Sequence, residues 1–294
     1  MSRNEPILRV DAERCTRKGL CEAVCPNGVF EWRDDALVVL YPGRCIQCGH
    51  CVAACPNEAF IHTGIKRPFL PRPLVSPVSP DDLQALFSRR RSCRIFSEDP
   101  VTDTERAALL AAAARAPTAT NSQNVRFVVL EERAHIDRLA EKTATYYLRL
   151  ARRVENPFIR MLLQLTVGRR LVDNYRFHLP AISDRFRAVV SGEASLFYNA
   201  PLVLVAVASG LPPVVAANTN LAVMQMMLKA ETMGLGTCYN GYALTALQRD
   251  KRIGRAIGIR DGYLPGAVLA VGHPAVTFYK TPPRRTPRVI TPTD

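Results

Sequence analysis

The stretch Arg44–Phe60 reads RCIQCGHCVAACPNEAF, and its cysteines follow the spacing C-x2-C-x2-C-x3-C before Pro56. This spacing is typical of cysteine runs that bind iron–sulfur clusters, whose irons take soft thiolate ligands. Gaps of two residues let one loop hold three corners of a cubane, and the fourth cysteine reaches a neighbouring cluster. A zinc site rarely shows this pattern, so the stretch predicts an iron–sulfur module.

The same pattern also occurs earlier in the chain. The stretch Arg14–Phe30 reads RCTRKGLCEAVCPNGVF and starts 30 residues before Arg44–Phe60. A repeat this short indicates a duplicated half-module rather than a solenoid. The earlier copy departs from the spacing, because Lys18 stands where its second cysteine is expected.

The cysteines are predicted to divide into two ligand sets, with the fourth cysteine of each copy crossing to the other cluster. Three cysteines suit a [3Fe–4S] cluster, a cubane with a non-cysteine or exogenous fourth ligand, or an empty site. Lys18 is a poor ligand because its amine is protonated near pH 7. We expect an occupied but modified second cluster. The predicted sets are Cys25, Cys45, Cys48 and Cys51 for one [4Fe–4S] cluster, and Cys15, Cys21 and Cys55 for the second site.

Charge and cysteine content divide the 294-residue chain into two different parts. Residues 1–66 hold eight Lys/Arg and eight Asp/Glu, so the whole net charge of +13 lies in residues 67–294, whereas seven of the nine cysteines precede residue 56. A hydrophobic content of 48% argues against a disordered chain. No secretory signal or membrane-length apolar run is present, which predicts a cytoplasmic protein.

Four polar segments of the basic part each carry a weak signal for a phosphate-bearing or flat polar ligand. Arginines bind phosphate bidentately, and glycines allow close approach of a ligand to the backbone. Each segment alone also fits a solvated loop. The segments are RRSCR at 90–94, APTATNSQ at 116–123, GLGTCYNGY at 234–242 and YKTPPRR at 279–285.

Residues 5–66 resemble a two-cluster bacterial ferredoxin. Residues 81–294 resemble the nitroreductase family of FMN flavoproteins. Four motifs of that family occur here in the same order: R-R-S-x-R, A-P-S-x-x-N-x-Q, G-L-G-x-C-x-x-G and P-P-R. The whole chain is therefore similar to ferredoxin–nitroreductase fusions. Two departures concern the second motif, where Thr118 replaces serine and Asn124-Val125 replaces Pro-Trp.

The resemblance implies FMN held at the interface of a homodimer. It also implies that Asn240 and Gly241 place N–H groups near the flavin N5 and O4. No residue is a clear general acid, and Tyr239 and Tyr242 are weak candidates. The remaining implied FMN contacts are Arg90, Arg91, Ser92, Arg94, Arg284 and Arg285 from one subunit, and Thr118, Ala119, Thr120, Asn121 and Gln123 from the loop assigned to the partner.

Secondary-structure patterns predict an α+β protein made of a ferredoxin-like module (1–66), a Pro-rich linker (67–80) and an FMN-binding sandwich (81–294). Helices are predicted at 81–87, at 107–116 after a Thr102–Glu105 capping box, and along Leu221, Met224 and Leu228. Strands are predicted at 125–130, 202–208 and 268–271. Met224, Met226, Met227 and Met233 are interpreted as core residues, and Cys93 and Cys238 as small buried ones.

Residues 149–176 carry seven arginines among apolar residues, which predicts a basic amphipathic helix. Such a helix either covers an active site or a dimer edge, or lies on an anionic membrane. We favour the first interpretation. His50 and His62 are interpreted as ordinary surface or core histidines.

Together these patterns predict an FMN-dependent reductase fed through its own iron–sulfur clusters, which delivers a hydride from FMN N5. We expect an electron-poor small-molecule substrate (nitroaromatic, quinone or activated alkene) and a low-potential donor (ferredoxin or NAD(P)H). The alternative is a non-catalytic electron relay or redox sensor acting on a protein partner. Nucleic-acid binding is not expected, because no recognition motif is present.

Overall fold

The computed structural model describes residues 7–291, apart from the side chains of residues 167, 171 and 174–181. The described chain separates into two compact units. One contains the residues up to 77 together with 118–123, and the other contains 78–117 and the residues from 124 onward. Between the cysteine-rich repeats and residue 80, the exposed stretch 66–79 forms no helix or strand.

The cysteine-rich unit is built from short elements, as expected for a chain segment that wraps around clusters. Phe30 and Phe60, which are equivalent in the two repeats, meet edge to face with ring centroids 5.5 Å apart. The first and last strands pair antiparallel, and so do the middle two. The elements are β1 (Leu8–Val10), α1 (Leu20–Ala23), β2 (Phe30–Arg33), β3 (Ala36–Val39), α2 (His50–Ala54) and β4 (Phe60–His62).

The duplication seen in the sequence is repeated in the backbone of this unit. Gly19 and Gly49 precede α1 and α2 with φ of 68° and 74°, a left-handed conformation that glycine adopts at little cost. Gly49 is further constrained, because a Cβ there would lie 2.9 Å from the Phe69 ring. Equivalent glycines therefore turn the chain from each cysteine loop into the helix that follows.

The second unit is a four-stranded antiparallel sheet between helices, in the strand order β5-β6-β8-β7. Ser79 and Thr102 cap the first two helices, and the predicted capping box with Glu105 is confirmed. The elements are α3 (Pro80–Arg89), α4 (Asp103–Ala113), β5 (Arg126–Leu130), α5 (Arg133–Glu155), α6 (Pro157–Val167), α7 (Arg169–Val190), β6 (Leu202–Ala208), α8 (Pro212–Thr232), β7 (Gly236–Tyr239), α9 (Gly241–Arg249), α10 (Lys251–Ala256) and β8 (Leu264–Gly272).

Strand β6 explains why the sequence shows an unbroken apolar run at 202–208. Its even-numbered residues pack with α4 and α8, and its odd-numbered residues pack with α5 and α9. All seven side chains are buried. Because both faces of the strand are covered, polar alternation is absent, and each large aliphatic side chain contributes about 1.5–3 kcal/mol by leaving water.

The basic segment 149–176 is not one helix, and in this respect the sequence-based prediction was wrong. Asn156 ends α5, and its side chain accepts hydrogen bonds from the backbone N–H groups of Phe158 and Ile159 at 3.0 and 3.2 Å. Pro157 begins α6, and Gly168, with φ of 93°, separates α6 from α7. The predicted Tyr175 and Arg176 side chains lie outside the described residues.

Helix α8 buries a different face from the one predicted from its apolar residues. Met226 is fully buried, and Met227 and Met233 pack partly buried against the same core. Leu221 and Met224, by contrast, are exposed, so the prediction that Met224 fills the core was wrong. Ala222 and Ala230 fill the core positions because α8 lies close to the sheet.

Candidate functional site

The seven cysteines of the first unit line two separate cavities. Cys25 leaves its own repeat and joins the cysteines of the second, while Cys55 crosses in the opposite direction. Lys18 lines the cavity that has three cysteines. The groups are Cys25, Cys45, Cys48 and Cys51 around one cavity, and Cys15, Cys21 and Cys55 around the other.

The sulfur atoms have the surroundings that cluster thiolates use. The N–H of Gln47 donates to Cys45 Sγ at 3.4 Å, and the N–H of Ala59 donates to Cys55 Sγ at 3.3 Å. Burial raises the pKa of the Cys51 thiol to about 11 and also raises the pKa of Cys21. Buried thiolates therefore need a cationic partner, and iron supplies one, so the residues present fit iron–sulfur clusters.

The structure places one histidine against a cysteine sulfur, which the sequence did not indicate. His62 is buried at the end of β4, and its Nε2 lies 3.7 Å from Cys45 Sγ. Burial lowers the pKa of His62 below its ordinary value. His50, at the start of α2, is exposed. A lone histidine seven residues after the last cysteine of the run gives no spacing signal, so only the fold could reveal this contact.

The predicted flavin loop 118–123 belongs by its contacts to the cysteine-rich unit. The Asn121 side-chain amide donates to the carbonyls of Ile46 and Gln47, at 3.1 and 3.0 Å, within the Cys45–Cys48 loop. Its Oδ1 accepts from Gln123 Nε2 at 3.1 Å. The Asn121 amide donors are thus directed at a cysteine loop of this chain, while the flavin contact of the segment remains a prediction.

Three residues of this loop have left-handed backbone conformations, which non-glycine residues rarely adopt. The φ angles are 50° at Thr120, 53° at Asn121 and 44° at Gln123. The Thr118 hydroxyl accepts a hydrogen bond from the Gln123 N–H at 2.9 Å and holds the loop in this shape. Such strained backbone is found most often at ligand clamps and active sites.

In the second unit, the arginine segment 90–94 is held along β7. Ser92 pairs in parallel with Thr237, and the Cys93 N–H donates to the Thr237 carbonyl at 2.9 Å. Arg90, Arg91 and Ser92 are partly exposed, whereas Cys93 is buried, as predicted. The pairing with β7 therefore anchors the segment at Cys93. The arginines and the Ser92 hydroxyl beside it remain partly accessible to solvent.

The C-terminal basic segment 279–285 and the arginine segment 90–94 both contact the carbonyl of Ser88. Arg91 donates to the carbonyls of Ser88 and Arg90, and the Thr281 hydroxyl lies 3.5 Å from the same Ser88 carbonyl. Arg284 and Arg285 are exposed. Two of the four segments are thereby brought together, and their guanidinium and hydroxyl donors fit the phosphate of FMN.

The segment 234–242 lies beside the arginine segment 90–94, because Arg94 is a neighbour of Cys238. Burial raises the pKa of the Cys238 thiol, and the neighbouring Arg94 guanidinium opposes that shift. Cys238 is buried, as predicted. Gly236, in the same strand, approaches Cys93 rather than open space, so its lack of a side chain serves the packing of the segment.

The two predicted N–H donors to the flavin differ in their availability. The Asn240 N–H donates to the Val268 carbonyl at 2.9 Å, and the Asn240 side chain caps α9 by accepting from the Ala243 N–H. Gly241 is the first residue of α9, and a Cβ there would meet no atom within 4 Å. We therefore retain Gly241, not Asn240, as the predicted backbone donor.

The two tyrosines considered as proton donors have different surroundings. The Tyr239 hydroxyl donates to Asn220 Oδ1 at 3.0 Å, and burial raises its pKa. Tyr242 is exposed, and its ring meets those of Tyr147 and Phe186 edge to face. Tyr239 is therefore the tyrosine whose hydroxyl is held by a hydrogen bond to a neighbouring side chain.

Within residues 7–291, no helix combines the length and the apolar composition needed to cross a bilayer.

Family models match both units of the chain. A model described as "Nitroreductase family" matches residues 87–273, and a model described as "4Fe-4S dicluster domain" matches residues 7–56. These matches confirm the ferredoxin–nitroreductase organisation and the α+β fold class expected from the sequence.

Solved structures with the same fold include two nitroreductases with bound FMN. The one from Bacteroides fragilis is 16% identical, with a TM-score of 0.53 over 71% of this chain and 99% of that chain. The one from Desulfitobacterium hafniense is 21% identical, with a TM-score of 0.50 over 72% and 97%. A BluB-like flavoprotein from Clostridium difficile is 20% identical, with a TM-score of 0.50 over 70% and 94%. Identities this low show the fold alone.

One curated relative matches over a short stretch. The chain is 45% identical over 62 residues to a 5,6-dimethylbenzimidazole synthase of Rhodospirillum rubrum. The match covers 21% of this chain and 29% of that protein, so this chain spans less than a third of the relative's length.

Proposed function

The chain belongs to the nitroreductase family and carries a 4Fe-4S dicluster domain, and from this premise we propose that it is an FMN-dependent oxidoreductase that receives electrons through its own iron–sulfur clusters. When bound, FMN would take up electrons singly and deliver a hydride from N5 to an electron-poor small molecule such as a nitroaromatic, quinone or activated alkene. The observation that carries this proposal is the arrangement of seven cysteines around two cavities in a chain with a nitroreductase fold.

Binding of FMN is assigned to the basic segments of the second unit. Arg90, Arg91 and Arg94 supply guanidinium donors beside the Ser92 hydroxyl, and Thr281 brings the segment with Arg284 and Arg285 close to them. These cations suit the FMN phosphate, because a guanidinium binds phosphate with two hydrogen bonds. Gly241 is the first residue of a nine-residue helix, and its N–H would be available to the flavin ring system.

The chain's own residues contribute binding and orientation, and a proton source completes the reduction. Tyr239 is a hydroxyl donor whose orientation is fixed by a hydrogen bond of 3.0 Å to Asn220 Oδ1. It is the residue we assign to proton donation, with solvent as the other source.

The iron–sulfur unit is proposed to hold one [4Fe–4S] cluster on four cysteines and a modified cluster on three. Lys18 leaves the second cavity without a fourth thiolate, which favours [3Fe–4S]. The donor proposed for the clusters is a low-potential ferredoxin, because a cluster accepts single electrons, whereas NAD(P)H releases a hydride and would have to reach the FMN directly.

A homodimer with FMN at the subunit interface is the proposed assembly. Members of this family are typically dimers, and this chain presents two exposed apolar surfaces. Leu221 and Met224 lie on α8, and α6 exposes Phe158 and Leu165, with 79% and 78% of their surface accessible. A partner subunit that covers both surfaces would also place its residues 118–123 against the flavin. For the exposed face of α6, we favour contact with this partner over contact with a membrane.

We propose residues 1–66 and 81–294 as the two functional domains and 67–80 as their linker. The activity of the curated relative is not carried over to this chain, because the match covers 29% of that protein.

Anaerobic flavin reduction tests the proposed electron path. The holoenzyme and a Cys48→Ser variant are each mixed with reduced ferredoxin, NADH and NADPH, and FMN absorbance is followed by stopped flow. We expect fast reduction through the clusters in the holoenzyme and at least a tenfold slower reduction in the variant. Equal rates in both proteins with NADPH would show that the flavin is reduced directly and would overturn the proposal.

The second candidate is a non-catalytic relay or redox sensor that passes electrons to a protein partner. The exposed linker and the many exposed arginines favour a protein contact. Steady turnover with small quinones or nitroaromatics would support the enzyme, whereas flavin reoxidation by a protein partner alone would support the relay.

A further inference from the structure

Among the histidines whose side chains the structure describes, His62 stands apart because its ring faces a cysteine sulfur inside the unit. Nε2 lies 3.7 Å from Cys45 Sγ, within the range of an N–H···S contact. Only 9% of the residue is exposed, and it lines the cavity of the four-cysteine set. Neither the family matches nor the ligand set assigns a role to this side chain.

The hydrogen-bond pattern of the ring selects one tautomer. Nδ1 is buried and has no hydrogen-bond partner within the described part of the chain. If Nδ1 carried the proton, a buried N–H would lack an acceptor and Cys45 Sγ would face a bare nitrogen. With the proton on Nε2, the N–H points at the sulfur, and the buried Nδ1 is left only as an unused acceptor, which is the less costly arrangement.

The ring is also held in place by its neighbours. His62 pairs with Leu8 in the β1–β4 ladder, which fixes its backbone. A Cβ on Gly64 would lie 3.1 Å from His62 Cε1 and 3.3 Å from the Gln47 side chain, so that side of the ring is closely packed. The N–H of Gln47 donates to the same Cys45 Sγ. Two N–H groups thus converge on one sulfur.

We propose that His62 is a positioning residue that donates its Nε2–H to Cys45 Sγ and raises the reduction potential of the four-cysteine cluster. The inference rests on the proposed [4Fe–4S] cluster at Cys25, Cys45, Cys48 and Cys51. Reduction adds one electron from the low-potential donor to the cluster and transfers no proton. An N–H donor stabilises the thiolate more strongly when the cluster carries the extra negative charge, so it favours the reduced state.

The experiment measures the midpoint potential of this cluster in the full-length holoenzyme by anaerobic redox titration followed by EPR. His62→Phe and His62→Leu remove the donor, and His62→Gln keeps an N–H at a similar reach. His50→Phe is the matched control, because His50 is exposed and lines the same cavity. Iron and acid-labile sulfide are counted in every sample.

At the potential where the wild-type cluster is half reduced, we expect the reduced-to-oxidised ratio to fall about three- to tenfold in His62→Phe and His62→Leu, because the potential reflects only how much stronger the lost hydrogen bond is in the reduced cluster than in the oxidised one. His62→Gln should recover most of the ratio, and His50→Phe should leave it unchanged.

An unchanged ratio in both donor-free variants, with a full iron count, would overturn the inference while leaving the cluster and the proposed function in place. A wild-type protein without iron at the four-cysteine site would instead refute the proposed function. If one donor-free variant loses its cluster, the other and the Gln variant decide the question.

Discussion

Gly236 and Cys93 approach each other so closely that a Cβ on Gly236 would lie 2.7 Å from Cys93 Cβ and 2.8 Å from Cys93 Sγ. The approach is fixed by the backbone, because the Cys93 N–H donates to the Thr237 carbonyl at 2.9 Å and Ser92 pairs with Thr237. The glycine at 236 therefore serves to seat the arginine segment 90–94 on β7.

Gly236→Ala should lower the free energy of unfolding by about 1–3 kcal/mol, the usual cost of forcing extra volume into a close contact. Thermal unfolding of the holoenzyme measures this loss. FMN affinity, followed by fluorescence, should fall with it, because the arginine segment moves away from the strand.

The clash also predicts which second change restores stability. Cys93→Gly removes both Cβ and Sγ, so the Gly236→Ala/Cys93→Gly double variant should recover stability relative to the sum of the two single effects. Cys93→Ala removes Sγ but leaves the Cβ contact of 2.7 Å, and it should give only partial recovery. If the coupling free energy of Gly236→Ala were the same with Cys93→Gly as with Cys93→Ala, the contact between the Cβ atoms of residues 236 and 93 would be contradicted.

The sequence predicted the cysteine sets and strand β6 because both leave local patterns: fixed spacing in one case and an unbroken apolar run in the other. It did not predict the break of 149–176, because the cap at Asn156 and the left-handed Gly168 override an amphipathic period that continues through them. Contacts such as His62 with Cys45 join distant residues by side-chain geometry, for which no periodicity exists.

Lys18→Cys should convert the second cluster into a four-cysteine cubane. The iron count should rise from about seven to about eight per chain, and the EPR signal of an oxidised [3Fe–4S] cluster should disappear. Lys18→Ala, which removes the amine without adding a ligand, serves as the control and should retain the wild-type signal. A wild-type count of about four irons would show that the three-cysteine cavity holds no cluster.

Leu221 and Met224 lie exposed on α8, where a dimer partner would cover them. Arginine at both positions should place two charges in the interface, convert the dimer to a monomer and lower FMN content at least tenfold, because the flavin would lose the partner's contacts. Size-exclusion chromatography with light scattering and flavin quantification measure both effects.

Val190→Arg changes an exposed apolar residue at the end of α7 and is the matched control. It should leave mass and flavin content unchanged. A double α8 variant that remains a dimer with full FMN would place the interface elsewhere.

Cys93 and Cys238 should resist alkylation in the folded protein. Burial raises the pKa of each thiol, and alkylation requires the thiolate, so at pH 7.5 the reactive fraction is smaller than for an exposed cysteine. After treatment of the holoenzyme with iodoacetamide, mass spectrometry should find these two peptides modified at least tenfold more slowly than in urea-unfolded protein. Raising the pH should accelerate the reaction, and equal rates in folded and unfolded protein would contradict their burial.

Asn121 should determine how tightly the Cys45–Cys48 loop is held, since its amide donates to the carbonyls of Ile46 and Gln47. Asn121→Asp keeps the shape and tolerates the left-handed φ, but it replaces Nδ2, which donates to both carbonyls, by an oxygen that faces them. Asn121→Gly also accepts this φ and removes the side chain without adding charge. Loss of the four-cysteine cluster to a chelator, followed by absorbance, should be up to about thirtyfold faster in the Gly variant and faster still in the Asp variant, since two hydrogen bonds are lost and each costs about 1 kcal/mol. The three-cysteine cluster of the same molecules is the internal control, and its loss should keep the wild-type rate. If both clusters were lost faster by the same factor, the variants would be destabilising the whole unit, and the specific role of Asn121 in the cysteine loop would be refuted.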